Sequence, residues 1–264
     1  MADVPGAANF PTPPHGELPV TKPFVLLATR TDDAAADAEY ESFLRLTGLT
    51  EAQLRRVRLE AAPMPALDLD QISGIFVGGS PFTASDPLES KSPVQLRVEA
   101  EFAALMERLV AVDFPFFGAC YGVGTLGVFA GATMTKERGE SVSAPLMRVT
   151  PEGRQDPLLA DLADEVRAFV AHKEGCDSLP AGATLLIEGQ PGCPVQMMRV
   201  GRNLYATQFH PETDGPALAF RLGRYRGHGY FTDDELDQLI EQVLADDAKE
   251  TSILLRRFVE RYAR

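Results

Sequence analysis

One cysteine of the chain stands in a sequence that suits a nucleophile. Cys120 follows the apolar run FPFF and lies within Gly118-Ala119-Cys120-Tyr121-Gly122, after which the sequence reads as a helix. A strand-to-helix turn of the type G-x-C-x-G exposes the sulfur and favours its thiolate form at the helix N-terminus, and it directs the next backbone N–H toward a developing oxyanion. The alternative is a buried structural cysteine beside a tight turn, which the residue type alone leaves open.

A nucleophilic cysteine needs a base, and the base needs an orienting group. Among the four histidines, His210 directly follows a strand-like run in YATQFHPET, and Glu212 stands two residues further on, across Pro211. The proline keeps this segment extended, so the Glu212 carboxylate can fold back onto the imidazole, fix its tautomer and stabilise its protonated form. Cys120, His210 and Glu212 are therefore the candidate catalytic residues.

No cofactor or metal motif accompanies these residues. The pair Gly78-Gly79 fits neither the P-loop nor the dinucleotide-binding pattern. Cys120, Cys176 and Cys193 form no CxxC pair and no zinc-spaced set with a histidine, and their odd number and irregular spacing indicate free thiols. The sequence therefore predicts neither a cofactor nor a bound metal.

The segments around the candidate residues alternate between strand and helix. Apolar strands are predicted at 23–30 and 72–81, followed by an amphipathic helix at 93–112 and the strand that leads to Cys120. This order predicts an α/β fold, with a mostly parallel central sheet flanked by helices and the active site at the carboxyl ends of the parallel strands. Beyond Thr133, five further strand-like runs add strands to the sheet, and the last of them leads to the histidine.

The chain divides into three predicted parts. Residues 1–22 are rich in proline and are predicted to form an extended, flexible leader. Residues 23–231 form the predicted catalytic domain, and residues 232–264 a helical extension that begins at a Thr232 cap. The acidic cluster at 32–41 is expected on the solvated face of a helix.

Composition excludes several classes of function. With 45% hydrophobic residues the chain can form a sizeable core, and its formal net charge of −13 argues against binding to nucleic acid or to an anionic membrane surface. The uncharged run near Ala111–Met134 is interrupted by Asp113 and Pro115 and is rich in glycine, which argues against a membrane span. Because the N-terminus lacks the pattern of a signal peptide, we expect a cytoplasmic protein.

Together these motifs resemble the class I, triad-type glutamine amidotransferases. The matching segments are IFVGGSP, FPFFGACYGVGTLG, VAHKEGCDSLPAGATLL and PVQMMRVGRNLYATQFHPE, and with their spacing they cover about residues 24–215. The resemblance implies a flavodoxin-like fold in which Cys120 is the nucleophile, His210 its base and Glu212 the partner of the base. It also implies that the amides of Gly79 and Tyr121 stabilise the oxyanion.

The reaction implied by the resemblance is glutamine hydrolysis. Cys120 attacks the side-chain amide, ammonia leaves, and water hydrolyses the γ-glutamyl thioester. The resemblance is strongest to stand-alone proteins similar to the glutaminase domain of GMP synthase. His172 aligns with a histidine that such proteins often carry, and Glu174 with an acidic residue shortly after it. We interpret His172 as a strand-end residue at the domain surface rather than as a catalytic residue.

One residue departs from the family pattern. After the nucleophile the family usually has C-x-G-x-Q, whose glutamine helps to hold the substrate, and Gly124 occupies that position here. Three alternatives follow. The chain is a glutaminase paired with a separate synthetase subunit, or it is a hydrolase or peptidase that acts on another γ-glutamyl compound, or it is a non-catalytic binding relative. The acceptor of the ammonia is unknown, and a homodimer is one expected assembly.

Overall fold

The computed structural model describes residues 20–189, 192–224, 232–246 and 248–264. Most of the predicted leader, His15 and His228 lie outside the described residues. The strands are β1 (Phe24–Ala28), β2 (Leu54–Arg58), β3 (Gly74–Val77), β4 (Phe116–Ala119), β5 (Met134–Thr135), β6 (Glu140–Ser143), β7 (Leu146–Val149), β8 (Glu165–Arg167), β9 (Val170–His172), β10 (Gly175–Cys176), β11 (Ala183–Gly189), β12 (Val195–Val200) and β13 (Leu204–Thr207). The α-helices are α1 (Asp33–Thr47), α2 (Pro93–Ala111), α3 (Pro151–Arg154), α4 (Gly215–Gly223), α5 (Asp233–Ala245) and α6 (Ile253–Tyr262).

The described strands build one large mixed sheet and two small ones. The large sheet has nine strands in the order β2-β1-β3-β4-β13-β12-β11-β7-β8. The pairs from β2 to β13 are parallel, whereas those from β13 to β8 are antiparallel. The small sheets pair β5 with β10 and β6 with β9. The predicted α/β fold with a parallel sheet and additional strands is therefore confirmed.

Apolar strands place the parallel part of the sheet between two layers of helices. Every residue of β1, β3 and β4 is buried, which is typical of parallel strands covered on both faces. On one face, Phe43 of α1 and Phe258 of α6 pack in one core with the strands. On the other face, Phe102 and Leu105 of α2 belong to a second core. The sheet is thus held rigidly at its centre.

Local capping defines the helices nearest the site. The Asp32 side chain accepts the Ala35 N–H at the start of α1, and α1 ends at Gly48 in the left-handed region. The Ser92 side chain caps α2, whose first residue is Pro93.

No helix within the described ranges is long and apolar enough to cross a bilayer.

The C-terminal helices pack on the rest of the chain. Phe258 of α6 is fully buried and contacts the rings of Phe24, Phe76 and Phe117. Helix α5 packs on α4 around Leu218, Leu222, Leu236 and Val243. The segment predicted as an extension therefore supplies α6 to the central core.

Candidate active site

Cys120 adopts a strained backbone conformation directly after β4. Its φ is +53°, in the left-handed region that a residue with a side chain enters only at a cost of about 1–3 kcal/mol. The Cys120 N–H donates to the Thr207 carbonyl at 2.7 Å, which continues the pairing of β4 with β13 by one residue. A helical segment with a π-type turn at Val123–Gly127 follows. This turn sets the half-buried Cys120 at the wall of a cavity of about 260 Å³.

Gly118, the first glycine of the motif, is required by a close backbone contact. A Cβ added to Gly118 would lie 2.4 Å from the Cα of Gly122, far inside van der Waals contact. The end of β4 and the first helical turn are thus close together. This approach explains the first glycine of the G-x-C-x-G pattern, whereas a Cβ on Gly122 would make only an ordinary contact with Ala206 at 3.9 Å.

His210 is supplied by the strand next to β4. Thr207, the last residue of β13, pairs with Ala119, so the segments that follow both strands leave the sheet side by side. The His210 N–H donates to the Phe169 carbonyl at 2.9 Å, which fixes the loop. Its ring nitrogen Nδ1 lies 2.6 Å from Oε1 of Glu212, and His210 and Cys120 line the same cavity. The structure thus brings the three predicted catalytic residues together.

The charges of these three groups support one another. Burial alone would lower the pKa of His210, but the charges of Glu212 and Cys120 and their hydrogen bonds raise it to about 9. Burial would raise the pKa of Glu212, but the charge and hydrogen bond of His210, with the charge of Arg221, lower it to about 2. The pair is therefore an imidazolium and a carboxylate at neutral pH. A protonated ring beside the sulfur is suited to protonate a leaving amine.

The predicted oxyanion donors lie at the same edge of the sheet. Gly79 follows β3, whose Val77 pairs with Gly118 of β4. The Gly79 N–H donates to Oε1 of Glu39 at 3.2 Å, so this amide has an internal acceptor. The role of Gly79 as an oxyanion donor stays a prediction and requires this amide to turn toward the substrate. Tyr121 follows Cys120, and its ring is buried against Phe82 and Phe102. The resemblance implied a role for the Tyr121 backbone N–H only, and that role stays a prediction.

A buried ion pair beneath this glycine turn was missed by the sequence analysis. Arg30 follows β1, lines the cavity and donates from Nε to Oε1 of Glu39 at 2.8 Å. Glu39 is only 1% exposed, so the expectation that the acidic cluster 32–41 lies on a solvated face is wrong for this residue. Its position on α1, one turn past the alanine-rich start of the helix, could have suggested an inward-facing carboxylate.

Gly124 lies beside a carboxylate in the cavity. A Cβ built on Gly124 would make ordinary contacts with Ala84 and Tyr121 at 3.6 Å and with Oε1 of Glu174 at 3.7 Å. Glu174 also lines the cavity, and its carboxylate accepts the N–H groups of Ala84 at 2.6 Å and Ser85 at 2.8 Å. A buried carboxylate is thus adjacent to the place where a side chain at 124 would begin.

The remaining sequence candidates make other contacts. His172 lines the same cavity, with Nε2 2.9 Å from Oε2 of Glu140. It is buried rather than at the surface, so our interpretation of it as a surface residue is corrected. Cys176 and Cys193 are buried; burial raises the pKa of both thiols, that of Cys193 to about 12.

Comparison with known proteins gives a consistent assignment. Residues 41–217, more than half of the chain, match the sequence profile of the family described as glutamine amidotransferase class-I. The chain is similar to the glutamine-hydrolysing GMP synthase of Wolbachia pipientis wMel, with 26% identity over 148 residues, which are 54% of this chain and 26% of that protein. It is similar to the same enzyme of Bacillus mycoides (strain KBAB4), with 28% identity over 107 residues, 40% of this chain and 20% of that protein. The matches thus span about a quarter or less of these relatives.

Solved structures show the same fold. A glutamine amidotransferase from Thermotoga maritima matches with a TM-score of 0.72 and 20% identity, over 91% of this chain and 98% of that one. A glutamine amido transferase from Methylobacillus flagellatus matches with a TM-score of 0.67 and 18% identity, over 92% and 96% of the two chains. At these identities the likeness concerns the fold, whereas the profile match concerns the sequence itself. The chain belongs to the class-I glutamine amidotransferase family.

Proposed function

We propose that this chain hydrolyses the terminal amide of glutamine or of another γ-glutamyl compound through a thioester on Cys120. The observation that carries the proposal is the line of contacts from Glu212 through the His210 ring to the Cys120 sulfur. This line lies at the carboxyl ends of two neighbouring parallel strands, where a ligand reaches it from the cavity.

The first half of the reaction forms the thioester. The Cys120 thiolate attacks the amide carbon, a C–S bond forms, and the carbonyl electrons move to oxygen. The resulting oxyanion is stabilised by the Tyr121 N–H and, once it turns from Glu39, by that of Gly79. Nε2 of His210 gives its proton to the amide nitrogen, the C–N bond breaks, and ammonia leaves.

The second half restores the enzyme. His210 is neutral after it has given its proton to the leaving ammonia, so its Nε2 can accept a proton from water. The resulting hydroxide attacks the thioester carbon, the C–S bond breaks and the sulfur leaves as a thiolate beside the newly protonated ring. Glu212 holds Nδ1 throughout and keeps Nε2 directed at the sulfur.

Glu174 is our candidate for substrate recognition. Gly124 has no side chain, and the Glu174 carboxylate lies next to the place where such a side chain would begin. Its oxygens already accept two backbone N–H groups and retain lone pairs that suit the ammonium group of an amino-acid substrate. Free glutamine and γ-glutamyl compounds both carry this ammonium group, so Glu174 suits either substrate. A γ-glutamyl compound is the second candidate, because the glutamine expected at position 124 is missing.

The recipient of the ammonia is proposed to be a separate synthetase subunit. The curated relatives that the chain matches are glutamine-hydrolysing GMP synthases, of which it spans about a quarter or less. A protein from Thermoplasma acidophilum that is described as one subunit of a GMP synthase shares the fold, with a TM-score of 0.52 and 18% identity, over 77% of this chain and 98% of that one. A cytoplasmic location and a homodimer stay predictions.

Covalent labelling tests the proposal. The protein is incubated with a diazo-ketone analogue of glutamine, and the modified peptide is identified by mass spectrometry. We expect label on Cys120, loss of ammonia release from glutamine in Cys120→Ala, and both properties retained in Cys176→Ser as the matched control. Protection by γ-glutamyl amides but not by glutamine would favour the second candidate. A folded protein that takes no label on Cys120 and cleaves neither substrate would contradict the proposal and leave a binding function.

A further inference from the structure

A carboxylate, an imidazole and a thiol meet behind the part of the cavity wall that His172 forms. Glu140 begins β6 and His172 ends β9, and the two residues are direct partners across this antiparallel pair. Cys193 lies between β11 and β12. One oxygen, one nitrogen and one sulfur of these residues all lie within 4.8 Å of one another. Because the three segments are distant in the chain, no ligand spacing in the sequence indicated this cluster.

The orientation of His172 places a lone pair in the cluster. Its Nδ1 lies 2.8 Å from the carbonyl oxygen of Glu174, which can only accept, so Nδ1 carries a hydrogen. In the neutral ring Nε2 is then an acceptor, and it faces Oε2 of Glu140 at 2.9 Å. Two acceptors at this distance need a positive centre between them, either a proton or a metal ion. A hydrogen bond from Nδ1 to a backbone carbonyl is typical of metal-bound histidines.

The side-chain amide of Gln196 lies beside the cluster. Nε2 of Gln196 donates to Oε2 of Glu140 at 2.6 Å, which orients the carboxylate. Gln196 is fully buried, and within the described part of the chain its Oε1 has no hydrogen-bond partner. His172 and Cys193 are buried, whereas Glu140 is half-buried and provides a path of entry. An unpaired amide oxygen in such a place is suited to accept from a metal-bound water.

The donor atoms define the class of ion. Sulfur, imidazole nitrogen and carboxylate oxygen together suit zinc, whereas magnesium and calcium prefer oxygen alone. Zinc bonds of about 2.0–2.3 Å place tetrahedral ligands roughly 3.5 Å apart. The three atoms lie within 4.8 Å of one another, so their widest pair would close by at most about 1 Å, whereas Nε2 of His172 and Oε2 of Glu140, now 2.9 Å apart, would open by about 0.6 Å.

We propose that Glu140, His172 and Cys193 form a zinc site that joins the small β6·β9 sheet to the residues directly before β12. The fourth position is left to water. Lys173 and Glu174 follow directly and line the cavity, so the metal fixes one cavity wall and takes no part in bond cleavage. The site is separate from Cys120 and does not depend on the proposed hydrolysis.

Metal analysis of the folded protein tests this site. All variants carry Cys120→Ser, so that zinc on the nucleophile does not contribute. We expect about one zinc per chain after dialysis, a higher melting temperature with zinc, and a sulfur-to-cobalt charge-transfer band when Co²⁺ replaces it. Cys193→Ser should lose the band and weaken zinc binding at least tenfold. Cys176→Ser is the matched control, because its sulfur is buried and donates to a backbone carbonyl, that of Ser178 at 2.8 Å, as Cys193 does to Val195 at 3.7 Å, but it lies outside the cluster.

Two results would overturn the zinc site. One is a folded parent protein that binds no stoichiometric zinc, which would mean that a proton alone joins His172 to Glu140. The other is equal zinc content in the two cysteine variants. If Cys193→Ser does not fold, the half-buried Glu140→Gln replaces it, with the same loss of affinity expected.

Discussion

Replacing Glu212 by glutamine tests whether this carboxylate holds the proton on His210. The amide keeps the shape of the side chain, and its oxygen can still accept the hydrogen on Nδ1, so the ring should stay in place. What is lost is a buried negative charge 2.6 Å from the ring. Because burial disfavours the charged ring, we expect the His210 pKa to fall from about 9 by more than one unit.

The two partners have pKa shifts of similar size, to which their mutual contact contributes. The His210 pKa rises from 6.5 to about 9, which corresponds to roughly 3 kcal/mol in favour of the protonated ring, with Glu212 and Cys120 outweighing burial. The Glu212 pKa falls from 4.5 to about 2, with His210 and Arg221 outweighing burial. Because the folded-state pKa of His210 is raised, this stabilisation is fully present below pH 6.5 and fades as the pH rises through about 9.

The assay follows the His210 ring directly by NMR and activity by ammonia release. In the parent protein we expect the ring to titrate near pH 9, and the basic limb of kcat/KM to fall there as the proton donor is lost. In Glu212→Gln both should move to lower pH, with a rate about 10²–10⁴ lower. Glu174→Gln is the matched control for the titration, since its carboxylate is buried in the same cavity but bonds to Ala84 and Ser85. An unchanged His210 titration in Glu212→Gln would refute the reasoning.

Three further substitutions probe the scaffold. Gly118→Ala should slow alkylation of Cys120 by iodoacetamide and destabilise the fold by about 1–3 kcal/mol, because its Cβ would meet the Gly122 Cα at 2.4 Å. Gly223→Ala, whose Cβ would meet no described atom within 4 Å beyond its own helix, should melt as the parent does. Phe258→Ala should cost about 3–5 kcal/mol in urea unfolding, and a change below about 1 kcal/mol would show that α6 does not support the core. Glu39→Gln should cost about 3 kcal/mol by removing the buried carboxylate that pairs with Arg30, and equal urea midpoints for parent and variant would contradict this.

The meeting of the three candidate catalytic residues could be predicted because each lies in a short local motif. Gly118 before Cys120 follows from one backbone contact, and the proline between His210 and Glu212 keeps their spacing fixed. Their meeting in space follows from the rule that parallel strands end at one edge of the sheet. Local sequence and general topology were enough for this part of the site.

Contacts that depend on a particular tertiary arrangement could not be predicted. Glu39 belongs to an acidic run, and only the packing of α1 under the glycine turn makes it a buried partner of Arg30. Likewise, His172 and Cys193 are brought together by strand register and by a turn, neither of which leaves a spacing in the sequence. The sequence pattern predicts the average environment of a residue type, whereas the positions of Glu39, His172 and Cys193 depend on individual tertiary contacts.

The strain at Cys120 is maintained by the strands on both sides of it. A left-handed cysteine would relax if β4 could shift, but β4 is held by parallel pairing to β3 and to β13. The bond from the Cys120 N–H to Thr207 then fixes the residue at the point where the strained turn begins. Because the same β13 carries the chain onward to His210, one strand both holds the sulfur and positions its base. Loosening β13 should therefore reduce cysteine reactivity and histidine alignment together rather than separately.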